Sequence, residues 1–158
     1  MVLILNIRIL KEEDIPQMLD LYSKFLKDLC VRDKYFKNKE IINNRTKEIY
    51  QKMIKSDNMQ TFVGIDNQII AGFSSVAINK PGFIFDEKNG YIYDGFVMES
   101  YRKTTLIFKL FNACENWAKK QGCRYITSCT HEFNKGVQAG FIYEKMEPYK
   151  TIYVKKIY

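Results

Sequence analysis

Apolar positions recur along the chain at two spacings, and the switches between them divide it into elements. Residues 3–10 alternate through Leu3, Leu5, Ile7 and Ile9 with Arg8 between, which predicts a strand. Glu12-Glu13-Asp14 then places acidic residues where a helix begins, with Pro16 in its first turn. Ile15, Met18, Leu19, Tyr22, Phe25, Leu26 and Leu29 follow i, i+3, i+4, i+7 spacing and predict an amphipathic helix. Residues 39–56 carry a looser helical stripe of Ile41, Ile42, Ile49, Met53 and Ile54. Thr61–Ile65 and Gln68–Asn79 read as strands joined at Asp66-Asn67, a hairpin-type turn. Lys80-Pro81-Gly82 breaks the second of them, and Tyr91–Met98 is another strand.

A third helix follows Arg102-Lys103-Thr104-Thr105, with Leu106, Leu110, Ala113, Cys114, Trp117 and Ala118 at helical spacing. It ends at Lys119-Lys120-Gln121-Gly122, cations in the last turn and glycine beyond it. Tyr125–Cys129 reads as a short strand. Phe141–Met146 and Tyr149–Ile157 read as a closing hairpin around Glu147-Pro148, the alternative being a helix from Asn134 to Glu147. Helices alternate with strands, so the fold class is α/β (or α+β), a sheet covered on both faces. At 158 residues, without repeats or linkers, residues 1–158 are expected to form one domain.

Charge sharpens this picture through its distribution. Residues 1–99 carry 14 basic and 14 acidic residues, whereas residues 100–158 carry 11 basic and 4 acidic, so the whole net charge of +7 lies in the last part. A basic surface there suits an anionic partner or a solvated face. No apolar run approaches the roughly 18–20 residues of a membrane span. The four cysteines form no CxxC pair and there is one histidine, so no metal site is expected. Free thiols suit a reducing cytoplasm. A cysteine nucleophile would have to use His131, the only histidine, as its base.

The strand, turn and helix from Tyr91 to Gln121 put free backbone N–H groups, a helix dipole and two cations in one place. That is the physical make-up of a diphosphate site. The stretch Asp94–Ile126, DGFVMESYRKTTLIFKLFNACENWAKKQGCRYI, resembles the central acetyl-CoA motif of the GCN5-related N-acetyltransferases. The opening strand with Ile7-Arg8, the Glu12-Glu13-Asp14-Ile15 after it, and Gly72-Phe73 in a post-hairpin strand resemble the same family, as does the element order. The resemblance implies a mixed, mostly antiparallel twisted sheet of about seven strands. It implies acyl transfer, usually of acetyl, from coenzyme A to a primary amine of a small molecule or peptide.

By the same resemblance Phe96, Val97 and Met98 meet the pantetheine arm. Arg102, Lys103, Thr104, Thr105, Leu106 and Ile107 hold the pyrophosphate, and Asn134 lies near the pantetheine. Asp94 is the first choice of general base, the other reading being a structural carboxylate bonded to a turn. His131 acts as base or acid, or caps a loop, and Tyr143 is the nearest candidate acid if the helix alternative holds. Tyr35 and Phe36 fall where the family lines its acceptor site, or else anchor a loop. The family's cofactor loop carries glycines, whereas residues 102–107 contain none, and Thr105 has a branched Cβ. Two other readings follow from these features. One is a binding module with this fold and no catalysis; the other, ranked lower, is a nucleic-acid-binding protein using the basic third. A homodimer through the edge-exposed terminal hairpin is a further expectation.

Overall fold

The computed structural model describes residues 5–36, 44–79 and 86–157. Of the sequence-predicted features, Ile41, Ile42 and the Lys80-Pro81-Gly82 break lie outside them. Strand β1 (Asn6–Ile9) leads through a 3₁₀ turn, Glu12–Asp14, into helix α1 (Ile15–Arg32). Helix α2 (Asn44–Ile54) precedes β2 (Met59–Asp66), β3 (Ile69–Asn79) and β4 (Asn89–Val97). A second 3₁₀ turn, Glu99–Tyr101, leads to α3 (Leu106–Lys120), β5 (Tyr125–Ser128) and α4 (Lys135–Tyr143).

Among the described residues the sheet has five strands in the order β1-β2-β3-β4-β5, antiparallel except for the parallel β4–β5 pair. Asn67 and Gln68, both at positive φ (44° and 73°), make the β2–β3 turn of the primed type that matches strand twist. Gly122, at φ 78°, ends α3, and Cys123 N–H reaches back to the Ala118 carbonyl (3.0 Å).

The expected hairpin over residues 141–157 is a correction. Phe141–Tyr143 belong to α4, and residues 147–157 pair with no strand. The helix forms despite Gly136 and Gly140 because Phe141 packs on Phe111 (6.2 Å between ring centroids) and Tyr143 on Phe108 (5.4 Å). Ile152, Tyr153, Val154 and Ile157 are exposed, and the seven-strand count is reduced to five among the described residues.

The core has two halves, one on each face of the sheet. On one face α3 buries Leu106, Leu110, Phe111 and Cys114 against Phe62, Ala71, Val76, Ile92 and Val97. On the other, α1 and α2 bury Ile15, Met18, Leu21, Tyr50 and Met53 against Val63, Ile70 and Phe73. α3 lies close because the sheet offers glycines beneath it. A Cβ on Gly90 would stand 2.8 Å from Ala118 Cβ, with neither atom on a flexible chain end. Gly90→Val is therefore expected to cost about 1–3 kcal/mol and lower Tm, read by thermal denaturation.

Entry to α1 is fixed by a fork. Arg8 Nη1 and Nη2 donate to Asp14 Oδ2 (2.5 Å) and Oδ1 (2.8 Å), and Lys11 N–H donates to Oδ2 (2.8 Å). The bonds from Arg8, with a smaller contribution from Lys11, hold the Asp14 carboxyl below the usual range. A lowered folded pKa gives stability that is present above the unfolded value and lost as pH falls through the folded one. Asp14→Asn should therefore cost about 1–3 kcal/mol at pH 7. It should also flatten the loss of stability below about pH 4 in acid titrations followed by circular dichroism.

Candidate active site

Strand β4 carries the site because of a bulge. Ser75 pairs with Asp94 and Val76 with Ile92, which leaves Tyr93 as an extra residue. Regular alternation would send Tyr93 and Asp94 to opposite faces. The bulge puts both on the α1/α2 face, while Ile92 and Val97 face α3. There Asp94 lies among the tyrosines Tyr22, Tyr50 and Tyr93, whose hydroxyls it holds against ionisation. Burial raises Tyr22 to about 12 and raises Tyr50 and Tyr93 as well, with the Asp94 charge adding to each. Burial also pushes Asp94 up to about 7, opposed only by the Gly95 N–H. The residue is deep yet still touched by solvent, so a proton can reach it from an entering molecule.

Strands β4 and β5 part at the same level. Their parallel pairing runs from Asn89–Tyr125 to Ile92–Ser128 and stops there, so β4 from Tyr93 to Val97 has no β5 partner along that edge. The gap leaves Phe96 and Val97 without a strand on that side, the Val97 carbonyl accepting from Arg102 and the Met98 N–H donating to the Ala71 carbonyl (2.9 Å). At its far end stands the N-terminus of α3. Of the four N–H groups a helix leaves free there, that of Leu106 is taken by Thr104 Oγ1 (3.2 Å), which itself donates to the Tyr101 carbonyl (2.7 Å). Those of Thr105, Ile107 and Phe108 make no protein hydrogen bond among the described residues, and the Thr105 hydroxyl makes no capping bond.

Arg102 ties this loop down. Its Nε donates to the Val97 carbonyl (3.2 Å), Nη2 lies 3.5 Å from Asp28 Oδ1, and its guanidinium sits 5.5 Å over the Phe96 ring. Lys103 is exposed beside it.

The other sequence-predicted residues fall into two groups around that gap. His131 Nε2 lies 3.0 Å from Asp33 Oδ2, and its ring stacks on Phe133 (4.9 Å). Asp33 also accepts the Tyr35 N–H (2.8 Å) on its other oxygen, and its carbonyl takes the Phe36 N–H (3.2 Å). Tyr35 and His131 are thus gathered by the Asp33 carboxylate at the end of α1, and Phe36 by the same residue's backbone carbonyl. Asn134 caps α4 by its backbone carbonyl to Gln138 N–H (3.1 Å), with its side chain making no capping bond. Tyr143 is 76% exposed and rests on Phe108 in the first turn of α3, apart from the Asp94 group.

The cysteines do not join His131. Cys129 Sγ lies 3.1 Å from the Tyr91 hydroxyl, and burial pushes Cys114 up to about 12. Among the described residues no group of three His, Cys, Asp or Glu could hold a metal, and no helix is long and apolar enough to cross a membrane. A groove of about 360 Å³ beside α1, lined by Gln17, Leu21, Ile70 and Met98 among others, holds only Asp20 as a carboxylate, already paired with Lys24 (2.8 Å). Asp94 does not line that groove.

The residues that sequence reasoning missed are Tyr22, Tyr50 and Tyr93 as neighbours of Asp94, and Asp28 and Asp33 as partners of Arg102 and His131. Tyr22 and Phe25 were visible only as part of the α1 apolar stripe.

The sequence pattern of the acetyltransferase (GNAT) family matches residues 17–145. The chain belongs to that family. No curated protein sequence matches it. Among solved structures, an aminoglycoside N-acetyltransferase, AAC(6')-Iy in complex with CoA, aligns with TM-score 0.81 at 16% identity, covering 99% of this chain and 97% of that one. A mutant of the BH1408 protein from Bacillus halodurans aligns with TM-score 0.83 at 18% identity, covering 97% and 99%. The aminoglycoside 6'-N-acetyltransferase AAC(6')-Ih from Acinetobacter baumannii aligns with TM-score 0.74 at 17% identity, covering 96% and 97%. At these identities the likeness establishes the GNAT fold.

Proposed function

We propose that the protein is an N-acetyltransferase that moves an acetyl group from acetyl-CoA to the primary amine of a small molecule, with residues 1–158 acting as one domain. The observation that carries the reading is the Asp94 carboxylate, raised to about 7 and without an ion pair among the described residues, on the strand that has an open edge and leads to the N-terminus of α3. The residues fit the cofactor. Free N–H groups at Thr105, Ile107 and Phe108, with Arg102 and Lys103 beside them, suit a pyrophosphate. The unpaired edge at Phe96 and Val97, with Met98 following, suits an amide-bearing arm, and Asn134 flanks the gap from α4.

When bound, acetyl-CoA would supply an acetyl group activated as a thioester. Asp94 takes the proton from the substrate ammonium, and the freed amine nitrogen attacks the thioester carbon. A nitrogen–carbon bond would form as the carbon–sulfur bond breaks, and the second proton lost by the nitrogen on becoming an amide would balance the one the departing thiolate takes up. Tyr143, on the α3 side of the gap, is the candidate to supply that proton. His131, held by Asp33, keeps the Tyr35–Phe36 segment beside the acceptor site. The open β5 edge is the place for a second copy of the chain in a homodimer.

A second reading, a cofactor-binding module without catalysis, is favoured by one feature. Without glycine, the loop lets Thr104 occupy the Leu106 N–H that a phosphate would otherwise take. Calorimetric titration of acetyl-CoA tests the shared part of both readings. One-to-one binding with Kd in the micromolar range is expected, and no heat at millimolar cofactor would overturn both.

A further inference from the structure

The carboxylates around the acceptor face differ in one respect. Each acidic residue of α1 and its C-cap has a basic side chain beside it. Asp20 lies 2.8 Å from Lys24, Asp28 lies 3.4 Å from Arg32 and 3.5 Å from Arg102, and Asp33 lies 3.0 Å from His131. α2 turns Tyr50 and Met53 inward and leaves Glu48 in solvent. Asp94 is the buried one of these carboxylates, and among the described residues it has no cationic partner and takes a hydrogen bond from Gly95 N–H.

Rings surround it. Tyr22 lies 5.6 Å from Phe25, 6.0 Å from Tyr50 and 6.1 Å from Phe73, and Phe25 lies 5.7 Å from Phe96. Tyr93 extends the wall, 6.3 Å from Tyr91, with its hydroxyl directed to Met53 Sδ (3.6 Å). A buried carboxylate without an internal cation can be balanced by one ammonium from outside, and aromatic faces favour that ammonium and an apolar body attached to it.

We propose that the acceptor is a primary amine carrying a single positive charge on an aromatic or bulky apolar body. Its ammonium meets Asp94, and its body lies among Tyr22, Phe25, Tyr93 and Phe96. A second or third ammonium would be desolvated against these rings, where Asp94 is the one buried carboxylate among the described residues beside them. Polycations, including the aminoglycosides that solved relatives act on, are thereby disfavoured. The inference rests on the acetyltransferase reading above.

The test measures kcat/KM at pH 8 and saturating acetyl-CoA for 2-phenylethylamine, spermidine and kanamycin, with calorimetric binding of acetyl-CoA alone as a separate arm. The expected result is a preference of about 10-fold or more for 2-phenylethylamine over both polycations, about 1.4 kcal/mol per tenfold. Tyr22→Leu should raise KM for 2-phenylethylamine and leave KM for acetyl-CoA unchanged. Faster turnover of spermidine or kanamycin overturns the proposal. So does bound acetyl-CoA with no transfer to 2-phenylethylamine. Absence of acetyl-CoA binding overturns the reading beneath it, and this inference with it.

Discussion

Asp94→Asn is expected to lower kcat about 10²–10⁴-fold at pH 8, the usual contribution of a positioned general base. The asparagine keeps the shape and cannot take a proton. In the wild type, kcat/KM should rise with pH through about 7, because Asp94 acts as base only when ionised. That limb should vanish in the variant. The sign for stability is the reverse. A carboxyl whose folded pKa is raised favours folding most below its unfolded value, and that contribution is lost as pH rises through about 7. At pH 8 the wild type holds a buried charge with no cation beside it among the described residues, so Asp94→Asn should melt at a higher temperature there. Lost activity together with gained stability is the mark of a group kept for chemistry. Equal activity in both proteins, or a lower Tm with activity intact, would make Asp94 a structural carboxylate.

Thr105→Asp should weaken acetyl-CoA binding about 10–100-fold while leaving the fold at least as stable. Thr105 stands at the N-cap of α3 with no capping bond from its side chain. Aspartate is a strong N-cap and its charge favours the helix dipole, so Tm should hold or rise. The same charge, a few ångströms from the free N–H groups of Ile107 and Phe108, would repel a pyrophosphate by an amount on the order of a few kcal/mol before screening. Calorimetry reads the Kd and thermal denaturation reads Tm. An unchanged Kd would move the diphosphate away from α3.

Elements whose pattern is complete within themselves were readable from the chain. α1 shows its stripe from Ile15 to Leu29, and α3 its stripe from Leu106 to Ala118 with Gly122 as stop. Asp66-Asn67 marked the hairpin between β2 and β3. The tail was misread for a physical reason. Thr151, Ile152, Tyr153 and Val154 have strand-forming side chains, but a strand also needs a neighbour, and no local pattern shows whether one is present. α4 ran the other way, since Gly136 and Gly140 weaken a helix that Phe141 and Tyr143 rescue by packing on Phe111 and Phe108.

The site divides along the same line. Asp94 and the loop from Arg102 to Ile107 lie on consecutive elements, so their place near one another followed from chain order. Tyr22 and Tyr50 reach Asp94 only because α1 and α2 fold onto β4, and their spacing reads as ordinary core. Tyr93 shares a face with Asp94 because of a bulge that strict alternation forbids.

The most direct measurement is release of free coenzyme A thiol from acetyl-CoA at pH 8, with and without 2-phenylethylamine, in the wild type and in Asp94→Asn. Amine-dependent release in the wild type, falling about 10²–10⁴-fold in the variant, is the predicted result. Release that ignores the amine, or that is equal in the two proteins, would contradict an N-acetyltransferase working through Asp94.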